Sequence, residues 1–155
     1  MRDKERVSIL IDAGNFYHLV LKKLGIREFQ FDFEKFATFL ANGREIPKMG
    51  KRFYVGTVRE IEGDERTKKA MSKQTSLFTE LREFNWEIRT SKLRIRKEEL
   101  SIDDRVEDWQ KIQKLGIQKI RFTKLREKGI DVKLATDLIV GAVDNQYETA
   151  IIVSS

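Results

Sequence analysis

Three aspartates carry the chemistry open to this chain. Asp12 ends the apolar run Val7-Ser8-Ile9-Leu10-Ile11, and Ala13-Gly14-Asn15 lead from it into a helix; Asp131 and Asp137 follow Lys128-Gly129-Ile130 far along the chain. Carboxylates at such junctions suggest a metal centre, because a divalent ion that orients water against a phosphodiester needs several oxygen ligands. The candidate metal residues are therefore Asp12, Asp131 and Asp137. On one helix the last two are separated by about 9 Å of rise, so the three cannot touch one ion symmetrically. One helical acid beside Asp12, with the other acting through water, is the more natural arrangement. The chain has no cysteine and a single histidine, His18, which excludes thiolate and His-rich sites. Oxygen ligands alone point to Mg²⁺ or Mn²⁺.

Each of these residues also has a plain structural reading. Asp12 could form an Asx turn before Gly14, Asn15 could cap the first helix, and Asp131 could be the N-cap of its own helix. Asp137 fits a helix interior poorly, yet could lie on a solvated flank. His18 reads as a surface or half-buried helix residue.

The elements that must position these groups follow from periodicity. Residues 6–12 form a strand whose continuous apolar core is expected to be covered on both faces. Phe16, Leu19, Val20 and Leu24 make a helical stripe ending near Gly25. Asp32 caps a second helix bearing Phe33, Phe36, Ala37 and Leu40, which Gly43 ends. Residues 51–58 read as a strand. A helix over about 65–84 turns Ala70, Leu77, Phe78, Leu81 and Phe84 inward. Trp86 to Thr90 alternate as the next strand. Residues 91–127 are more charged and less regular and are read as an insertion, with Leu93 and Ile95 on one ribbon strand, Ile120, Phe122 and Leu125 on the other, and a helical stretch over 106–115 ended by Gly116. A last helix starting at Asp131 turns Ala135, Leu138, Ile139, Ala142 and Val143 inward, and residues 150–153 form a final buried strand. Alternating strands and helices predict one α/β domain over 1–155 with a parallel, Rossmann-like sheet and helices on both faces. Such a last strand ordinarily feeds another helix, so the chain is expected to be truncated at its C-terminus or to close its sheet there. Asp12 would then stand at the carboxyl end of a strand, where open α/β sheets bind ligands.

The 155 residues carry 31 Lys and Arg against 25 Asp and Glu, a net charge of +6. That excess agrees with a polyanionic partner such as RNA. Arg66, Lys69 and Lys73 share one side of the long helix and could track a phosphate backbone, although such a face is more often simply solvated. Lys128 and Lys133 stand beside the acids, Tyr17 is near enough to Asp12 in sequence to stack on a base, and Ser154 and Ser155 follow the last strand. No apolar run reaches bilayer-spanning length, and the basic N-terminus has no signal-peptide segment, so a cytoplasmic location and no membrane partner are expected. A homodimer is left open. Asp12-Ala13-Gly14-Asn15 is not a G-x-G-x-x-G phosphate loop, which argues against a dinucleotide-binding domain.

The segments Ile9-Leu10-Ile11-Asp12-Ala13-Gly14-Asn15, Phe53-Tyr54-Val55-Gly56 and Glu127 through Leu138, taken in this order, resemble the NYN domain family and, within it, the bacterial and archaeal LabA-like branch. The resemblance spans nearly the whole chain outside the insertion. It implies a PIN-like nuclease fold and Mg²⁺- or Mn²⁺-dependent ribonuclease activity on RNA, with single-stranded RNA the expected partner. It further implies that Asp12 is a metal acid, Asn15 a polar neighbour of the reacting phosphate, and Asp131 and Asp137 further acids. The family pattern continues with one or two acids after a serine at the position of Ser154-Ser155, where this sequence stops. Two readings follow: a metal-dependent ribonuclease in its complete form, or an RNA-binding or regulatory module without turnover.

Overall fold

In the computed structural model, which describes residues 4–58 and 61–154, the elements run β1 (Val7–Asp12), α1 (Ala13–Phe16), α2 (Phe33–Ala41), β2 (Lys51–Thr57), α3 (Glu65–Glu83), β3 (Glu87–Ser101), α4 (Trp109–Lys114), β4 (Lys119–Glu127), α5 (Ile130–Val143) and β5 (Thr149–Val153). The strands form one sheet in the order β4-β3-β2-β1-β5. β1 pairs in parallel with both β2 and β5, and β2 with β3, whereas β4 returns antiparallel along the distal half of β3. The result is an α/β sheet with helices on both faces, mostly rather than wholly parallel.

Alternation along β1 divides the core. Val7, Ile9 and Ile11 point to one face, where they join Phe16, Phe33, Phe53, Trp86 and the Leu77, Phe78 and Leu81 stripe of α3. The phenyl rings of Phe33 and Phe53 meet edge-on with centroids 5.0 Å apart. Leu10 points the other way and packs with Tyr54 against Ile130 and Leu134 of α5. Each β1 side chain is buried, as a central strand covered on both faces requires.

Several expectations are corrected. After α1 the backbone winds as a π-helix over Tyr17–Leu21, with the Lys22 amide donating to Tyr17 O at 2.8 Å. This winding brings residues five apart onto one face, so Phe16 and Leu21 are buried while Leu19, Val20 and Leu24 are exposed. In α3, Ala70 and Phe84 lie at the surface. α5 opens on Gly129 at φ +87° rather than on Asp131, which sits in its first turn. Its inward residues are Ile130, Leu134 and Gly141, with Leu138, read as inward, partly buried against the same cluster. Ile139 and Val143, read as inward, are 63% and 78% exposed, and Ala135 and Ala142 are exposed as well. Gly141 is required there, since a Cβ would stand 2.6 Å from Tyr147 Cε1. β5 is an edge strand, not a buried one, and Ile152 is 45% exposed.

The stretch read as an insertion is a long ribbon. β3 continues beyond its pairing with β2, which ends at Thr57↔Lys92, and pairs instead with β4 from Leu93↔Glu127 out to Ser101↔Lys119. α4 lies between the two ribbon strands in sequence. Among the described residues no helix is long and apolar enough to cross a membrane.

Candidate active site

The strand order reverses at β1: its neighbour on one side, β2, follows it in sequence, and its neighbour on the other is β5. Connections on the two sides of such a point cover opposite faces and leave a crevice at the carboxyl ends of the strands. A cleft of about 740 Å³ lies there, lined by Asp12 from the end of β1, Asn15 from α1, Ser154 from just past β5, Asp131 from the start of α5, His18 and Leu93.

Asp12 is the pivot of this cleft. It is 6% exposed, the last residue of a fully buried strand, and caps α1 through its own side chain. Its Oδ1 accepts from the Asn15 backbone amide at 3.1 Å, and its Oδ2 accepts from Asn15 Nδ2 at 2.8 Å. Asn15 Nδ2 also donates to Ser154 Oγ at 3.0 Å, and that hydroxyl stands 3.4 Å from Asp12 Oδ2. Two residues, Asn15 on α1 and Ser154 just past β5, thus hold the carboxylate in one orientation. An ionised carboxylate offers about four lone-pair positions, so these contacts leave it able to bind a cation. The cap read for Asn15 in fact belongs to Asp12, with Asn15 as the donor.

Asp131, exposed in the first turn of α5, lines the same cleft. A negative side chain there complements the partial positive charge of the helix start. Asp137 does not line the cleft. Further along α5, its Oδ2 accepts from the Tyr54 hydroxyl at 2.9 Å and lies 3.2 Å from Arg89 Nε, close enough for an ion pair but without hydrogen-bond alignment. Burial, reinforced by the Asp137 carboxylate, pushes the Tyr54 phenol well above its ordinary pKa. Arg52, itself buried, donates to the Asp137 carbonyl, to Gln146 and to Glu87. The structure therefore joins two of the three proposed acids and ties the third into a network between α5 and the sheet.

The other named residues divide similarly. Lys128 is exposed after β4, and Lys133 donates its ammonium to the Thr90 carbonyl. Arg66, Lys69 and Lys73 are exposed on α3, across the sheet from α5, and Lys73 stands 5.3 Å from the centre of the Phe29 ring. Tyr17 packs against the α3-side core and lines a groove with Arg27 and Lys73 rather than the cleft. Ser155 lies outside the described residues. His18 and Leu93 were not read as site residues. The spacing of His18, three residues beyond Asn15 on a helical segment, was the available signal, whereas Leu93 reaches the cleft only because β3 outruns its neighbours.

Among the described residues no three acid or histidine side chains converge as a metal cage. Besides the His18 imidazole, the potential ligands in the cleft are two carboxylates, a hydroxyl and an amide, all offering oxygen. This set fits a hydrated Mg²⁺ or Mn²⁺ shared with a phosphate, since Mg²⁺ is commonly held by one or two carboxylates with water and substrate completing the shell. A family model described as NYN domain matches residues 6–155 of the chain. No curated protein and no solved structure matches it.

Proposed function

The chain belongs to the NYN domain family, a PIN-like nuclease family, and from that premise we propose that it hydrolyses phosphodiester bonds of single-stranded RNA at the cleft between β1, β5 and α5, acting in the cytoplasm. Within the family we assign it to the LabA-like branch on the motifs around Asp12, Tyr54 and Asp131. The observation that carries the reading is the convergence on one cleft of a buried, hydrogen-bonded Asp12 with Asp131.

In this reading Asp12 and Asp131 would hold Mg²⁺ or Mn²⁺. Bound there, the ion would supply an acidified water and positive charge for the leaving oxygen. The chain's own residues do the positioning. Asn15 fixes Asp12 through its backbone and side-chain amides, so the carboxylate needs no reorganisation when substrate arrives. Ser154 completes that support from β5. Ile130, Leu134 and Leu93 give the cleft its apolar walls. Lys128, exposed at the approach to α5, is free to meet a phosphate. Hydrolysis adds the water oxygen to phosphorus and breaks the bond to the 3′ oxygen, leaving a 5′-phosphate and a 3′-hydroxyl.

A second reading, RNA binding without turnover, is favoured by one observation: Asp137 is engaged by Tyr54 and Arg89, leaving two carboxylates in the cleft. End-labelled single-stranded RNA incubated with Mn²⁺, with and without EDTA, separates the two. Cleavage that EDTA and Asp12→Asn both abolish is expected. Binding without cleavage would establish the second reading, and cleavage indifferent to EDTA would remove the carboxylate mechanism.

A further inference from the structure

The ribbon formed by β3 and β4 carries charge in two different ways along its length. At the distal end Glu99 accepts from both Lys119 and Arg121, at 2.7 and 2.9 Å, and these partners hold its carboxyl below the ordinary value. Nearer the sheet the pattern reverses: Arg94 stands directly opposite Arg126, and Arg96 directly opposite Lys124. Cross-strand neighbours share a face, so four cations occupy two successive rungs, about 7 Å apart along the strands. Among the described side chains only Glu98 answers them, pairing with Arg126 at 3.0 Å. Like charges placed directly opposite each other weaken a strand pair. A ribbon needing only stability would carry the distal arrangement throughout.

The location gives those charges a use. Leu93, just past the end of the β3–β2 pairing, lines the carboxylate cleft and also a second, largely apolar groove of about 470 Å³ that it shares with Val58, Ile61, Thr67 and Ile95 and that its neighbours Lys92 and Arg94 flank. Arg66 and Lys69 are exposed on the same helix as Thr67. One strand therefore connects the acidic cleft to a groove whose two charged lining residues, Lys92 and Arg94, are both basic.

We propose that this groove and the proximal ribbon face, through Lys92, Arg94, Arg96 and Lys124, bind the phosphate backbone of the RNA strand whose scissile bond lies in the cleft. The inference rests on the proposed RNA-directed function and deepens it. It assigns the ribbon the task of holding the strand outside the cleft, by charge and without reading bases.

The test is fluorescence anisotropy with a labelled 20-nucleotide single-stranded RNA and the full chain in EDTA, repeated over a range of salt concentrations. Each lost phosphate contact should lower the slope of log affinity against log salt by about 0.7, so Arg94→Gln/Arg96→Gln/Lys124→Gln should lower it by roughly 2 and weaken binding on the order of tenfold or more at low salt. Lys119→Gln/Arg121→Gln, at the paired distal end, is expected to bind within about twofold of the wild type. Because the triple variant removes opposed like charges, its melting temperature should be unchanged or higher, which keeps a loss of binding distinct from a loss of fold. Unchanged affinity and slope in the triple variant, with the wild type binding RNA, would overturn the ribbon proposal alone. Equal losses in both variants would overturn it too, by reducing the effect to net charge. Absence of RNA binding by the wild type would sink the proposed function and the ribbon proposal together, and binding of anionic lipid vesicles in its place would assign these cations to a membrane surface.

Discussion

The Tyr54 hydroxyl donates to Asp137 Oδ2 at 2.9 Å, joining the middle of β2 to the middle of α5. Tyr54 is also the Cα partner of Asp12 in the β1–β2 register, so the two residues hang side by side from adjacent strands onto the α5 face. Asp12 reaches the cleft, whereas Tyr54 spans beneath α5 and secures Asp137. The bond thereby separates two aspartates with a common appearance in sequence into one that faces solvent chemistry and one that fastens a helix.

Tyr54→Phe should accordingly destabilise the fold without altering divalent-metal binding. A hydrogen bond to a charged group contributes about 1.5–3 kcal/mol, a drop of roughly 5 °C in melting temperature for a domain of this size. The raised phenol pKa sets the pH window. For a group whose folded pKa is raised, the stabilisation is present in full below its unfolded value, about 10 for tyrosine, and is lost as pH rises toward the folded value. Melting curves of both proteins from pH 7 to 11 should therefore stay apart up to about pH 10 and converge above it. A constant gap through pH 11 would contradict the assignment.

The parts of this fold that local chemistry determines were legible. Asp32 accepts from the Lys35 amide and Asp64 from the Arg66 amide, and each starts its helix where a capping residue announces one. β1 was legible because an unbroken aliphatic run has few other places to go. The existence of α5 was legible but its buried face was not, because Val132, Ile139, Val140 and Val143 surround it with apolar residues on its outer side too, and periodicity alone cannot choose among such faces. The π-winding after α1 depends on where Phe16 and Leu21 find core contacts, a tertiary choice. The role of Asp137 depended on Tyr54, 83 positions away. Asp12, by contrast, advertised itself through a strand end and a following turn, and the structure adds the support from Ser154 that only sheet pairing could supply.

Asn15→Ala is expected to leave the fold intact and impair the site. The α1 cap uses the Asn15 backbone amide, which alanine retains, while the bonds from Nδ2 to Asp12 and Ser154 disappear. Residues that orient metal-binding groups typically contribute about 10–100-fold in metal affinity or activity. Mn²⁺ titration and RNA cleavage should both fall in that range, with melting temperature close to wild type. Asn15→Ala indistinguishable from wild type in both assays would reduce Asn15 to a local structural role.

Glu28 supplies an independent pH test away from the cleft. Burial raises its carboxyl pKa, so the charged form is less welcome in the folded chain than in the unfolded one. The sign follows directly: stability associated with Glu28 is greatest below its unfolded pKa and declines as pH rises through the folded value. Glu28→Gln should raise the melting temperature at pH 7, and the difference should vanish below about pH 4. A variant less stable than wild type at pH 7 would show that Glu28 has a partner when charged.

The sharpest test of the site compares three substitutions of one kind. Asp12→Asn preserves shape and a capping oxygen for the Asn15 amide, so α1 should form as before, but the charge that would hold a cation is gone. Asp131→Asn removes the second carboxylate of the cleft from an exposed position where little stability is at stake. Asp137→Asn leaves both cleft acids in place and instead removes the charge facing Arg89, which should cost about 1–3 kcal/mol of stability. Calorimetric titration with Mn²⁺ should therefore lose most of its heat in the first two variants and keep it in the third, whereas thermal melting should fall chiefly in the third. RNA cleavage is expected to follow the Mn²⁺ heats rather than the melting temperatures. If Asp137→Asn abolished Mn²⁺ binding while remaining folded, the division drawn between Asp12 and Asp137 would be wrong, and the metal would have to lie deeper under α5.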